Sequence, residues 1–133
     1  YAFRLQRKVW QRDAELKGQE EALEEEARAQ RLRINRSIQI IAKGALEDQL
    51  SLTETSIRIK VLLDSLGLEV SVTENYQAFY DLALACDHIP ILEQWQALSD
   101  KEQRKLEKER IRHEQTHGEA VLDAAKRIKG QDF

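Results

Sequence analysis

The centre of the fold is encoded in SLTETSIRIKVLLDSLG, residues 51–67. Ser51 or Thr53 can cap a helix N-terminus with its hydroxyl group, and Gly67 suits the left-handed residue that follows a helix end. Apolar residues occupy most sides of the helix between them: Ile57, Ile59, Val61, Leu62, Leu63 and Leu66. A helix with this pattern is buried, so we expect it to form the middle of a core.

Segments on both sides of this helix also have helical periodicity. Upstream, Ile34, Ile38, Ile41 and Ala45 recur at spacings of four, three and four residues, which is one buried stripe of a helix. Downstream, we expect residues 68–73 to form a loop that ends in a cap at Ser71 or Thr73. A helix over about 74–87 then ends before Pro90. Its expected inward residues are Tyr76, Phe79, Tyr80, Ala83, Leu84 and Cys86.

The last third of the chain predicts a short hook and one long helix. The hook, IPILEQWQAL, is expected to seal one end of a bundle with Ile91, Leu92, Trp95 and Leu98. Ser99 and Glu102 form a capping-box pattern that starts a helix over about 100–129. The apolar face near its end consists of Val121, Ala124, Ala125 and Ile128.

Composition agrees with an all-α fold. The 133 residues are 34% charged and 6% aromatic, with five glycines and one proline, which is untypical of a sandwich or barrel. The formal charge of −3 gives no overall attraction to nucleic acid. We predict a bundle of about four core helices over residues 34–133, extended by a long charged N-terminal stalk helix within residues 1–33.

Residues 1–12 carry aromatic and basic residues and no acidic one. Aromatic rings prefer the headgroup layer, and basic residues mark the cytoplasmic side of a membrane span. Because the chain also contains no methionine, we expect a transmembrane helix to precede this juxtamembrane segment. An ordinary amphipathic helix start is the alternative. The predicted membrane-interface residues are Tyr1, Phe3, Arg4, Arg7, Lys8, Trp10 and Arg12.

The motif HEQTH, residues 113–117, has the spacing of a zinc-peptidase helix. Two histidines four residues apart can reach one zinc ion, and the glutamate can polarise its bound water. Against this, we identify no third ligand along the last sixteen residues and predict no sheet to hold a substrate. His88 is the one histidine that tertiary structure could bring near. We therefore expect packing or surface roles for His113 and His117, no catalytic residue and no cofactor or metal, with zinc-dependent hydrolysis or metal binding as the alternative.

Three segments resemble an uncharacterised family of short bacterial proteins: LSLTETSIRIKVLLDSLG, AFYDLALACDHIPILEQWQAL and HGEAVLDAAKRI. The resemblance covers about residues 35–128. It implies one N-terminal transmembrane helix, a cytoplasmic helical domain and localisation at the bacterial inner membrane. It implies no activity and no catalytic residues.

The expected function is therefore a membrane-anchored protein-interaction or scaffolding module. Its expected partners are a protein, the membrane and further copies of the chain through the stalk, but not nucleic acid. Leu16 and Leu23 lie one heptad apart, although Gln30 follows them and leaves a coiled coil unestablished. Cys86 lies in an apolar run, where it is expected to pack as a small hydrophobic residue.

Overall fold

The computed structural model describes residues 2–133, apart from the side chains of Ala2, Phe3 and Leu5. Over these residues the chain is helical and contains no strand. The prediction of an all-α fold is therefore confirmed. The helices are α1 (Ala2–Leu46), α2 (Leu52–Ser65), α3 (Val70–Thr73), α4 (Gln77–Ala85), α5 (Leu92–Gln96) and α6 (Asp100–Ile128), with a 3₁₀ turn at Glu74–Tyr76.

The chain divides into two compact units, Tyr1–Arg33 and Ile34–Phe133. In the first unit, every described side chain up to Arg28 is exposed. Among its charged residues, Arg33 lies 3.5 Å from Glu26. Charge on all sides suits a helix surrounded by water, and this unit contributes little apolar burial.

In the second unit, α1, α2, α4 and α6 supply a common core. The helix α2 packs against α4 and α6, and α4 packs against α6. The buried side chains include Ile38, Ile41 and Ala45 of the predicted α1 stripe and the predicted face of α6, whereas Ile34 of the stripe is partly buried. Core residues with the least exposure are Ile38, Ala42, Ile59, Leu63, Phe79, Leu82, Val121, Ala124, Ala125 and Ile128.

Local sequence sets the boundaries of the two best-predicted helices. The Ser51 hydroxyl accepts a hydrogen bond from the Glu54 amide at 3.1 Å, and the Ser99 hydroxyl accepts one from the Glu102 amide at 3.2 Å. Each bond satisfies an amide that has no partner within the first helical turn. After α2, Gly67 adopts a φ of +62°, which a side chain would oppose.

The chain between α2 and α4 differs from its prediction. Instead of a loop, Val70–Thr73 form the short helix α3, which begins after Glu69 without a side-chain cap. The Glu74–Tyr76 turn then leads into α4, which ends at Ala85 rather than near residue 87. Helical backbone hydrogen bonds satisfy this segment locally, whereas the alternating apolar pattern had no strand with which to pair.

Several apolar side chains that were predicted to point inward are exposed. Leu84 was expected in the core but is 74% exposed, because Leu82 takes the inward position of α4. The buried side of α2 includes polar residues, and some of its apolar residues face solvent. Thr53, Thr55 and Ser56 are buried, whereas Ile57 and Val61 are exposed. Ile91 and Leu92 were expected to seal the bundle and are instead among its most exposed residues.

Candidate functional site

A cavity of about 620 Å³ opens between α2, the loop from α4 to α5, α5 and α6. Its volume is in the range of protein sites that bind small molecules or peptide side chains. We call it the Trp95 groove. Its apolar wall consists of Ile57, Ile89, Pro90, Ile91, Leu92 and Trp95.

Two contacts from α6 hold this wall in place. The Gln103 side-chain amide donates to the Trp95 carbonyl at 2.8 Å, which fixes α5. His88 Nε2 lies 2.7 Å from Glu109 Oε1, which fixes the loop before α5. The apolar wall is therefore attached to the bundle by polar contacts as well as by Ile89, which packs against the core.

The groove has a polar end that consists of Thr53, Glu107 and Arg110, with Glu114 directly behind them. Arg110 forms ion pairs with both Glu107 and Glu114, and its Nη1 lies 2.6 Å from Glu114 Oε1. The hydrogen bond to Glu107 is the main cause that raises the pKa of Arg110 above its ordinary value. The guanidinium group therefore stays charged at any physiological pH.

Glu114 is the glutamate of HEQTH, and the structure gives it a capping role. Its Oε1 accepts hydrogen bonds from the Thr53 hydroxyl at 2.7 Å and from the Thr53 amide at 3.2 Å. That amide lies in the first turn of α2, where backbone donors have no intrahelical partner and the helix dipole favours a negative charge. Glu114 thus joins α6 to the start of α2.

The surroundings of the two HEQTH histidines differ from those of the zinc ligands in a peptidase. His113 Nε2 lies 3.8 Å from Glu109, the same carboxylate that His88 contacts. His117 is half-buried on the same helix. Among residues 2–133 no group of three or more histidine, cysteine, aspartate or glutamate side chains is placed to hold a metal ion.

Cys86 lies at the inner side of the groove and is 3% exposed. Burial is the main cause that raises the pKa of its thiol, which is therefore protonated at neutral pH. A protonated, buried thiol is a poor nucleophile. The prediction that Cys86 packs as a small hydrophobic residue is confirmed.

Five of the predicted membrane-interface residues have described side chains, which lie in the first turns of α1 and are exposed: Arg4, Arg7, Lys8, Trp10 and Arg12. Tyr1 and the side chain of Phe3 lie outside the described residues. In the described part of the chain, no helix combines the length and the apolar character that a membrane crossing requires.

The sequence patterns do not predict the Trp95 groove. The patterns indicate its apolar residues but predict that they seal the end of a bundle. One signal in the sequence could have indicated it: Ile91 and Leu92 follow Pro90 in a stretch too short to bury both of its sides. No sequence pattern connects this stretch with Arg110, which comes close to it only in the folded chain.

Comparison with models of known families identifies the family of this chain. A family model described as a protein of unknown function, DUF2489, matches residues 1–128. The chain belongs to the DUF2489 family. No curated protein matches it, and no solved structure does.

Membership in DUF2489 confirms that the chain comes from an uncharacterised family. The match names no activity, ligand or partner for the family. The transmembrane helix and the bacterial origin implied by the earlier resemblance are not carried by the DUF2489 match, and they stay predictions.

Proposed function

We propose that this DUF2489 chain is a non-catalytic protein-interaction module that binds a partner in the Trp95 groove. The observation that supports this most directly is the exposure of Ile91 and Leu92, 68% and 78%, on the wall of a large cavity. Apolar side chains grouped at an open cavity are typical of a surface that another molecule covers.

A second hollow extends the apolar surface. It shares Ile57, Ile89 and Ile91 with the groove and adds Val61 and Leu84, both largely exposed. Its volume is about 580 Å³. The exposed apolar residues of α2, α4 and the following loop therefore belong to one surface, which favours a protein partner over a small ligand.

We also propose that the module is anchored at the bacterial inner membrane and faces the cytoplasm. The support comes from residues 1–12, where exposed Trp10 lies among Arg4, Arg7, Lys8 and Arg12 and no acidic residue precedes Asp13. Such a segment suits the boundary between headgroups and cytoplasm. Further copies of the chain are proposed partners through the first unit.

A photo-crosslinking experiment tests the interaction function in intact cells. A benzophenone amino acid replaces Ile91 in one variant of the full-length protein and Ile40 in a control. Ile40 is 65% exposed and lies on α1, away from the groove residues. We expect a discrete adduct at position 91 and none at position 40. Adducts of equal yield at both positions, or none at position 91, would contradict the proposed function.

Membrane attachment is tested separately by fractionating the same cells. We expect the full-length protein in the membrane fraction and expect alkaline carbonate to leave it there. Recovery in the soluble fraction would contradict the anchor and leave the interaction function open.

A further inference from the structure

The charged side chains in and directly behind the Trp95 groove do not sum to zero. Arg58 lies 2.8 Å from Glu54, so these two residues neutralise each other. Arg110, by contrast, is shared between Glu107 and Glu114. The charged side chains that line the groove are Glu54, Arg58, Glu107 and Arg110, and Glu114 directly behind them adds a third carboxylate, which leaves a formal charge of −1 for the five groups.

The excess negative charge is accessible at Glu107 rather than at Glu114. Glu114 accepts both hydrogen bonds from Thr53 and one from Arg110, and its side chain is 20% exposed. The Glu107 side chain is 45% exposed. Because a carboxylate offers about four acceptor positions, Glu107 can bind Arg110 and a further donor at the same time.

Leu92 gives independent evidence that the wall is shaped for contact. Its φ is +52°, a left-handed conformation that is strained for a leucine, and its side chain is exposed. The side chain contributes nothing to the core in this position. The fold therefore holds an apolar side chain outward at the groove despite a backbone cost.

The surrounding elements also limit the form of the occupant. The groove lies between helices, and residues 2–133 offer no strand edge to which an extended peptide could add. Polyproline segments dock in grooves lined by aromatic rings, whereas the wall of this groove is mostly aliphatic, with Trp95 as the one aromatic residue among the described residues that line it, which favours an amphipathic helix that inserts its apolar face.

We propose that the Trp95 groove binds an amphipathic helix of a partner protein that places aliphatic or aromatic side chains on Ile91, Leu92 and Trp95 and a lysine or arginine on Glu107. This rests on the proposed interaction function and adds the chemistry of the partner. The face of Trp95 can contribute a cation–π contact to the same basic group.

Fluorescence of Trp95 tests the proposal directly. The chain has two tryptophans, so Trp10→Phe leaves Trp95 as the only one. The probes are two synthetic helical peptides with the same leucine face, one with lysines and one with glutamates on the flanks. We expect the lysine peptide to shift Trp95 emission to the blue. It should also bind about tenfold more tightly than the glutamate peptide, because one charge-assisted hydrogen bond changes the affinity by about that factor.

Two variants locate the contacts. Glu107→Gln should bring the affinity ratio of the two peptides close to one while leaving Arg110 paired with Glu114. Ile91→Ser should abolish binding of the lysine peptide, whereas Ile40→Ser, the same replacement at an exposed isoleucine that does not line the groove, should preserve it. Thermal unfolding of each variant shows that the fold is retained.

The outcomes separate this inference from the proposed function. Equal affinity for the two peptides, or an unchanged ratio in Glu107→Gln, overturns the basic-helix partner even if crosslinking at Ile91 succeeds. A blue shift with rising protein concentration and no peptide assigns the groove to a second copy and also overturns it. Failure of crosslinking at Ile91 overturns the interaction function itself.

Discussion

The end of α6 and its middle meet the rest of the bundle in opposite ways. At the end, Val121, Ala124, Ala125 and Ile128 are buried, and residues 129–133 fold back over this region. In the middle, Glu107, Arg110 and Glu114 make polar contacts, and the apolar wall opposite them stays uncovered.

The covered side is closed by the chain itself. Gln39 donates to the Ile128 carbonyl at 2.9 Å and accepts from the Gly130 amide at 2.9 Å. Asn35 accepts from the Phe133 amide at 2.8 Å, and the Phe133 ring meets the Tyr76 ring edge-on at 5.7 Å. Residues 129–133 therefore cover the end of the core with both polar and aromatic contacts.

This difference separates the apolar surface that stabilises the fold from the apolar surface that is available for binding. Apolar surface that the chain covers contributes to the free energy of unfolding, because it leaves water when the chain folds. Apolar surface that stays exposed in the folded chain contributes little. The exposed wall of the Trp95 groove is thus available for a partner at small cost to the fold.

The largest expected effect compares one isoleucine from each side. Ile128→Ala should lower the free energy of unfolding by about 2–5 kcal/mol, because it leaves a cavity in the core. Ile91→Ala should change it by less than about 0.5 kcal/mol, as expected of an exposed residue. Urea unfolding followed by circular dichroism measures both. Equal destabilisation would mean that the groove wall belongs to the core.

The next effect concerns the polar contact in the middle of α6. Glu114→Gln should lower the free energy of unfolding by about 1–3 kcal/mol, because Thr53 and Arg110 lose a charged acceptor. Glu119→Gln, at an exposed position of the same helix, is the control. Zinc and EDTA should leave both proteins unchanged. A Glu114→Gln protein of normal stability that has lost a zinc-dependent hydrolase activity would instead support the peptidase alternative.

A smaller effect should follow from releasing residues 129–133. Gln39→Ala removes its hydrogen bonds to the Ile128 and Gln131 carbonyls and from the Gly130 amide. We expect a loss of about 1 kcal/mol and faster hydrogen exchange of the Gly130 amide. Arg36→Ala, at an exposed position of the same helix, should leave that exchange unchanged. Unaltered Gly130 exchange in Gln39→Ala would show that the segment is held by other contacts.

The smallest effect should be a gain in stability on the groove side. Leu92→Asn keeps a side chain but suits the φ of +52° better, so the free energy of unfolding should rise by a few tenths to about 1 kcal/mol. Leu84→Asn replaces a leucine of similar exposure that has no positive φ, and it should give no gain. Chemical denaturation of the two variants side by side measures the difference. Destabilisation by Leu92→Asn would show that the leucine packs inside the fold.

Much of the fold could be predicted from local patterns. The stripe from Ile38 to Ala45, the caps at Ser51 and Ser99 and the face from Val121 to Ile128 all depend on residues a few positions apart. Their physics is that of a single helix, so the sequence contains the necessary information. The errors at Leu84, Ile91 and Leu92 arose because an apolar residue does not reveal whether a neighbour will cover it.

The candidate site was much less predictable for the same physical reason. The HEQTH pattern predicts contacts along one helix, whereas Glu114 binds Thr53, 61 residues away in the chain. The single charge excess at Glu107 also depends on the distance of Arg110 from two carboxylates. Neither feature follows from the spacing of residues along the chain alone, so a sequence pattern does not predict it.

By itself, the sequence determined that the chain is helical, that α2 begins after Ser51 or Thr53 and α6 after Ser99, and which faces of the helices are apolar. These properties follow from periodicity and from hydrogen bonds between residues three or four apart. Tertiary packing decided that Glu114 caps α2, that residues 129–133 cover one side of the core, and that Ile91 and Leu92 stay exposed beside Trp95. Packing decides such features because they depend on which surfaces meet after the helices have formed.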